Sequence, residues 1–214
     1  MPSRIVPFVN NYFYHIYNRG VEKRPIFGSR RDYQRFIKTM NYYQFLGPKP
    51  KFSHFSQFQK FKPDPSKKIV GIVCFCLMPN HFHFLLKQLV DGGITEFVSK
   101  LSNSYTKYYN TKYNRVGPLL QGEFKSVLIE KDEQLIHVSR YIHLNPRVSL
   151  VTKDLDNYEW SSYKEYTGQT GGFCAKQEIL NFFKNPKAYQ QFVLDQIDYG
   201  ERLEQIKHQV LEEI

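Results

Sequence analysis

Between Tyr12 and Tyr17 the residues YFYHIY are aromatic or β-branched and run into Asn18-Arg19-Gly20, the pattern of a strand entering a turn. Ser29 or Asp32 then caps a helix whose apolar residues Tyr33, Phe36, Ile37 and Met40 recur at helical spacing. From Ile69 to Met78 the chain is almost continuously apolar, which predicts a strand buried on both faces. Met78-Pro79-Asn80 makes a turn, and a second strand returns from His81 to Gln88. Ile94, Phe97, Val98, Leu101, Tyr105 and Tyr108 trace one face of an amphipathic helix over 94–109. After Gly117-Pro118 comes a strand from Phe124 to Glu130, then a helix that Asp132 opens and Pro146 stops. Beyond Asp156 the pattern loosens into Trp160-Ser161-Ser162-Tyr163, a glycine-rich turn near Gly171, and two further helices. The order strand, helix, strand, strand, helix, strand, helix predicts an α+β fold: a ferredoxin-like (RRM-like) antiparallel sheet with helices packed on one face.

One segment interrupts the periodicity. Residues 47–68 (GPKPKFSHFSQFQKFKPDPSKK) hold four prolines and six lysines and read as a long basic loop or hairpin tip inserted into the domain. The predicted organisation is therefore a domain over 1–168 carrying this insertion, and a helical extension over 169–214 whose end, from about Asp195, is acidic.

Composition changes the picture in two ways. With 214 residues, 41% hydrophobic and 16% aromatic, the chain can bury a real core and is not of a disordered type. No apolar run approaches the roughly 20 residues a membrane span needs, and the start MPSRIVPFVNNYFYH lacks the plan of a signal peptide. Three cysteines make no disulfide framework, so a cytoplasmic protein with reduced thiols is expected. The net charge of +10 is concentrated: residues 1–70 hold 14 Lys+Arg against 3 Asp+Glu, a net of +11. Such an excess attracts a polyanion, and nucleic acid is the commonest one.

The sharpest chemical feature is His81-Phe82-His83. On a strand, residues i and i+2 share a face, so two imidazoles project side by side while Phe82 and Phe84 turn to the core. Such a pair can bind a divalent metal if a third ligand arrives from another element, although with seven histidines in the chain the bare pattern also arises by chance. The second feature is Arg140-Tyr141-Ile142-His143-Leu144-Asn145-Pro146. Leu135, Val138 and Ile142 face the core, and Tyr141 and Asn145 lie one turn apart on its shoulder, where both can address one point. Taken alone, one tyrosine among 16 is more often a packed aromatic than a nucleophile.

LMPNHFHFLLK (77–87), GPLLQGEFKS (117–126), YIHLNP (141–146) and YEWSSY (158–163), with YHIYNRGVEKRPIF (14–27) before them, resemble in this order the single-tyrosine HUH transposases of insertion-sequence and REP-associated type. The resemblance spans about residues 10–165 and leaves out the insertion and the tail. It implies that His81 and His83 are metal ligands, that Asn145 completes the metal site, and that Tyr141 is the nucleophile. Tyr105, Tyr108 and Tyr109 are rival nucleophiles whose spacing is also that of a core stripe.

The activity this resemblance implies is that of a metal-dependent single-stranded DNA endonuclease and strand transferase. Mg²⁺ or Mn²⁺ is the implied cofactor. A phenol, with a pKa near 10, needs such help to attack a phosphate at neutral pH. The implied product is a 5′-phosphotyrosine and a free 3′-hydroxyl, a linkage that keeps the bond energy for rejoining. Single-stranded DNA with hairpin-forming repeats is the implied partner, and a homodimer the implied assembly. In the insertion, Lys49, Lys51, Lys60 and Lys62 interleave with aromatic residues including Phe55 and Phe58, a pattern that suits a single strand through charge and stacking. A small hairpin packing its phenylalanines on the domain explains that pattern equally well. Two other functions compete: a replication initiator with the same nucleophile, and a nucleic-acid-binding module without chemistry.

Overall fold

Phe13–Arg19 alternates half-buried and buried residues along strand β1, as a strand with one face in the core must. The computed structural model describes residues 7–47, 51–52, 64 and 66–198. After β1 come α1 (Arg30–Tyr43), β2 (Val70–Met78), β3 (His81–Gln88), α2 (Gly93–Lys112), β4 (Lys125–Ile129) and α3 (Asp132–Val148). Three short helices follow: α4 (Tyr163–Tyr166), α5 (Gln177–Leu180) and α6 (Pro186–Leu194). The four strands pair in the order β2-β3-β1-β4, and each pairing is antiparallel.

This is the expected ferredoxin-like sheet, with α1 and α2 together on one face. Their apolar sides meet Ile16, Phe82, Phe84 and Leu86 in one core cluster. Ser29 takes the N-cap position of α1 without a side-chain cap bond. Asp32, in the first turn, instead reaches back outside the helix to accept from the Gly28 N–H at 2.9 Å, which fixes the chain entering α1. Its buried carboxylate also accepts from Lys112 Nζ at 2.6 Å, Tyr113 at 2.7 Å and Tyr108 at 2.9 Å, tying the start of α1 to the end of α2.

The opposite face differs from the sequence expectation, which had helices on one side only. A second layer of α3, α4, α5 and α6 covers it, packing Leu135, Ile142, Tyr163, Tyr166, Ile179, Tyr189 and Val193 on Val73, Cys74, Cys76 and Leu85. Every residue of β2 is buried. A strand apolar on both faces needs a helix layer on each side. The edge of β2 is closed by the Tyr158–Ser162 segment: Leu77 N–H donates to the Trp160 carbonyl at 2.8 Å, and Tyr158 donates to the Leu77 carbonyl at 2.7 Å.

Pro146 does not stop α3 where the sequence pattern placed its end. It sits in the last turn, and the helix runs two residues further to Val148. The Pro146 carbonyl accepts from Val151 and Thr152, which closes the end of the helix. No helix among the described residues is long and apolar enough to cross a membrane.

Candidate active site

The period of β3 puts His81 and His83 on one face and turns Phe82 and Phe84 into the α1–α2 core, where both pack on Phe36. The tight turn before them is held by the segment after β1. Gly20 N–H donates to the Asn80 carbonyl and Ile26 N–H to the Pro79 carbonyl, both at 2.8 Å. Asn80 Nδ2 donates to the Lys23 carbonyl at 3.0 Å, leaving its Oδ1 against His81 Nδ1 at 2.6 Å.

β1 brings in a residue to which the sequence pattern gave no role. The register sets Tyr17 opposite His83 and His15 opposite Leu85, so His15 lies diagonally beside His83. His15 Nε2 and His83 Nδ1 are 2.9 Å apart, with ring centroids at 5.1 Å. With the proton on His83 Nδ1, that ring donates to His15 and keeps the lone pair on its own Nε2. Burial pushes the His15 pKa down to about 4. His83 is driven well below its ordinary value by burial first, then by His81, His15 and Arg19 around it. Both rings are therefore neutral at pH 7, the form that binds a metal.

α3 carries Tyr141 over these imidazoles. Its ring centroid is 5.4 Å from that of His83 and 5.8 Å from that of His15, both edge-on. The ring is half-exposed. The helix is anchored through His143, two residues on and fully buried: Nδ1 meets the Tyr189 hydroxyl at 2.7 Å and Nε2 meets Ser162 Oγ at 2.8 Å. Ser162 Oγ in turn accepts from the Phe75 N–H at 2.9 Å. One turn after Tyr141, Asn145 is 7% exposed, and its Oδ1 is buried without a hydrogen-bond partner among the described residues.

The rival tyrosines lie on the other side of the sheet. Tyr105 is fully buried and donates to the Ile26 carbonyl at 2.6 Å, while Tyr108 donates to Asp32. Burial raises the pKa of each of the three. Of the insertion residues, Lys51 lies at the α1–α2 surface, whereas Lys49, Phe55, Phe58, Lys60 and Lys62 lie outside the described residues.

The donor set fits a divalent ion that keeps open positions. His81 and His83 are both held through Nδ1, the habit of histidines that ligate through Nε2. The unpartnered Oδ1 of Asn145 is a hard oxygen donor whose burial otherwise costs free energy. Among the described residues no group of three or more His, Cys, Asp or Glu side chains is disposed to hold a metal, so a closed site of the structural zinc type is not offered.

The family described as "Transposase IS200 like" matches residues 59–145, a stretch that contains His81, His83, Tyr141 and Asn145. The match takes in 87 of the 214 residues, and that stretch is similar to the IS200-like transposases. A solved structure of a REP-associated tyrosine transposase bound to a REP hairpin has the same fold as this chain. It covers 79% of the chain and 86% of its own length, with a TM-score of 0.52 and 14% identity. No protein of curated function matches the chain.

Proposed function

We propose that this chain cuts and rejoins single-stranded DNA through Tyr141. The observation that carries the reading is the half-exposed Tyr141 ring set edge-on against two neutral imidazoles, His83 buried and His15 half-buried, with the Asn145 oxygen, unpartnered among the described residues, one helical turn away. In the reaction, the bond from Tyr141 Oη to phosphorus forms as the bond to the 3′ oxygen breaks. The phenol gives up its proton and the leaving oxygen gains one, so the products are a 5′-phosphotyrosine and a 3′-hydroxyl. Reversal joins the strand to a new 3′ end without an energy source.

His81, His83 and Asn145 would hold Mg²⁺ or Mn²⁺. When bound, that ion supplies a Lewis acid for the scissile phosphate. His15 fixes the orientation of His83, Asn80 fixes that of His81, and the His143–Tyr189–Ser162 contacts hold α3 so that Tyr141 stays over the site. The substrate proposed is single-stranded DNA bearing a hairpin, by analogy with the solved relative in its REP hairpin complex.

The test is a denaturing gel for a covalent adduct, with a labelled hairpin-bearing strand and Mn²⁺. The wild-type chain forms the adduct and Tyr141→Phe does not, while its melting temperature stays close to wild type because the ring is half-exposed. An adduct formed by the Phe variant would reject Tyr141. No adduct from the wild type on any hairpin strand would favour a binding module without chemistry.

A further inference from the structure

The helix layer on the far side of the sheet from Tyr141 holds a cleft that the proposed cleavage does not use. It lies between α1 and α2, encloses about 640 Å³, and is lined by Arg31, Arg35, Tyr43, Lys51, Lys107 and Tyr108 among others. Two further lysines there are neutralised, Lys112 by Asp32 at 2.6 Å and Lys100 by Glu96 at 2.5 Å. Among the described residues no acidic side chain lines the cleft. Arg31, Arg35, Lys51 and Lys107 likewise make no ion pair among the described residues.

Arg35 is the informative member of this group. Its guanidinium lies 4.3 Å from the Phe52 ring centroid and 5.2 Å from that of Tyr108, so two aromatic rings fix its position. Among the described residues its Nε is buried with no hydrogen-bond partner. A buried donor left unmade is costly, and the cost is greater on a cation. An anion entering the cleft would offset it. A phosphate suits the site better than a monovalent ion, because two of its oxygens match the guanidinium fork and others remain for Arg31 and Lys107. The cleft is much larger than one phosphate and falls within the roughly 300–1,000 Å³ of small-molecule sites. Tyr43 and Tyr108 provide aromatic wall for a flat ring.

We propose that the α1–α2 cleft is a second ligand site, separated from Tyr141 by the sheet, that takes a nucleotide with its phosphate on Arg35, Arg31 and Lys107 and its base beside Tyr43 and Tyr108. A free nucleotide and a nucleotide unit of a strand share this chemistry. Binding in the cleft requires no cleavage, so a failure of this site and a failure of the proposed reaction are separable.

The experiment is calorimetric titration of the full chain with AMP, with inorganic pyrophosphate and with a short oligothymidylate. Arg35→Gln should weaken binding about tenfold or more, the scale of a lost hydrogen bond to a charged group. Arg31→Gln combined with Lys107→Gln, two exposed positions that leave packing intact, should weaken it likewise. Arg35→Lys keeps the charge without the fork and should rescue only part. Tyr141→Phe and His83→Ala should bind AMP and pyrophosphate as the wild type does, since these probes address the cleft and carry no strand. Arg35-dependent binding of AMP identifies a free nucleotide as ligand, and the same dependence with oligothymidylate alone identifies a strand. Arg35-dependent binding of pyrophosphate alone overturns the base subsite. Absence of binding by every probe, or affinities unchanged in both the Arg35→Gln and the double variant, overturns the site.

Discussion

Asn145→Leu separates what the candidate metal site costs from what it does. The Asn145 side chain is almost fully buried, its Oδ1 has no partner, and among the described residues the amide makes no hydrogen bond. A buried polar group left unsatisfied costs about 1–3 kcal/mol. Leucine has the same number and branching of side-chain heavy atoms, removes that cost, and adds apolar surface beside the cluster that holds Ile142 and Leu144. Without metal, the variant should therefore be more stable than the wild type by about 1–2 kcal/mol, an increase of roughly 2–8 °C in melting temperature for a chain of this size. With Mn²⁺ the order reverses. An ion at 100 times its dissociation constant stabilises the wild type by about 2.7 kcal/mol, and the leucine variant should lose most of that shift together with the covalent adduct. Thermal unfolding with and without Mn²⁺ reads both effects. A lower metal-free melting temperature in Asn145→Leu would refute the orphaned amide, and an undiminished Mn²⁺ shift would remove Asn145 from the metal site.

Asp32→Asn should cost about 3 kcal/mol at pH 7, because it leaves Lys112 without its buried partner. The Asp32 pKa is lowered, since its bonds to Lys112, Tyr113, Tyr108 and Gly28 outweigh the opposing effect of burial. The stability it contributes is thus full above the unfolded carboxylate value and is lost as pH falls through the folded one. Urea unfolding of both proteins should show the gap closing below about pH 4, and a gap that stays constant from pH 7 to 3 would contradict this. Gly20→Ala should destabilise by about 1–3 kcal/mol and impair Mn²⁺ binding, because a Cβ there meets the Arg24 carbonyl oxygen and lies 2.9 Å from Ile26 Cγ2, in the segment that holds the turn before His81. Wild-type behaviour in melting and Mn²⁺ titration would mean that the segment yields without disturbing the turn. If the insertion tracks a single strand, replacing Lys49, Lys51, Lys60 and Lys62 by Gln should flatten the plot of log affinity against log salt by about 0.7 for each phosphate no longer neutralised. An unchanged slope would take residues 47–68 off the DNA path.

How much of the fold and the site is legible in the sequence depends on the range of the interactions concerned. The pairing of His81 with His83, the spacing of Tyr141 from Asn145 and the double burial of β2 are all visible there, because each follows from a local backbone period or a run of side chains. The double burial already called for a layer on each face of β2, yet nothing local said that α3 and the helices after it would supply the second one. That decision rests on Tyr166, Ile179, Tyr189 and Val193, each about 90 to 120 residues further along the chain, finding apolar surface on β2.

The division at the site is of the same kind. By itself the sequence determined which side chains share a face, because the strand period of two and the helix rise are steric properties of the backbone. Only the tertiary structure decided that His15 meets His83, since a shift of one residue in the β1–β3 register would turn His15 to the other face. It alone set Tyr141 over those rings, and Tyr105, Tyr108 and Tyr109 behind the sheet with their hydroxyls engaged in the α1–α2 layer. These outcomes turn on which surfaces bury most apolar area against one another, and that is a property of the whole chain rather than of any segment.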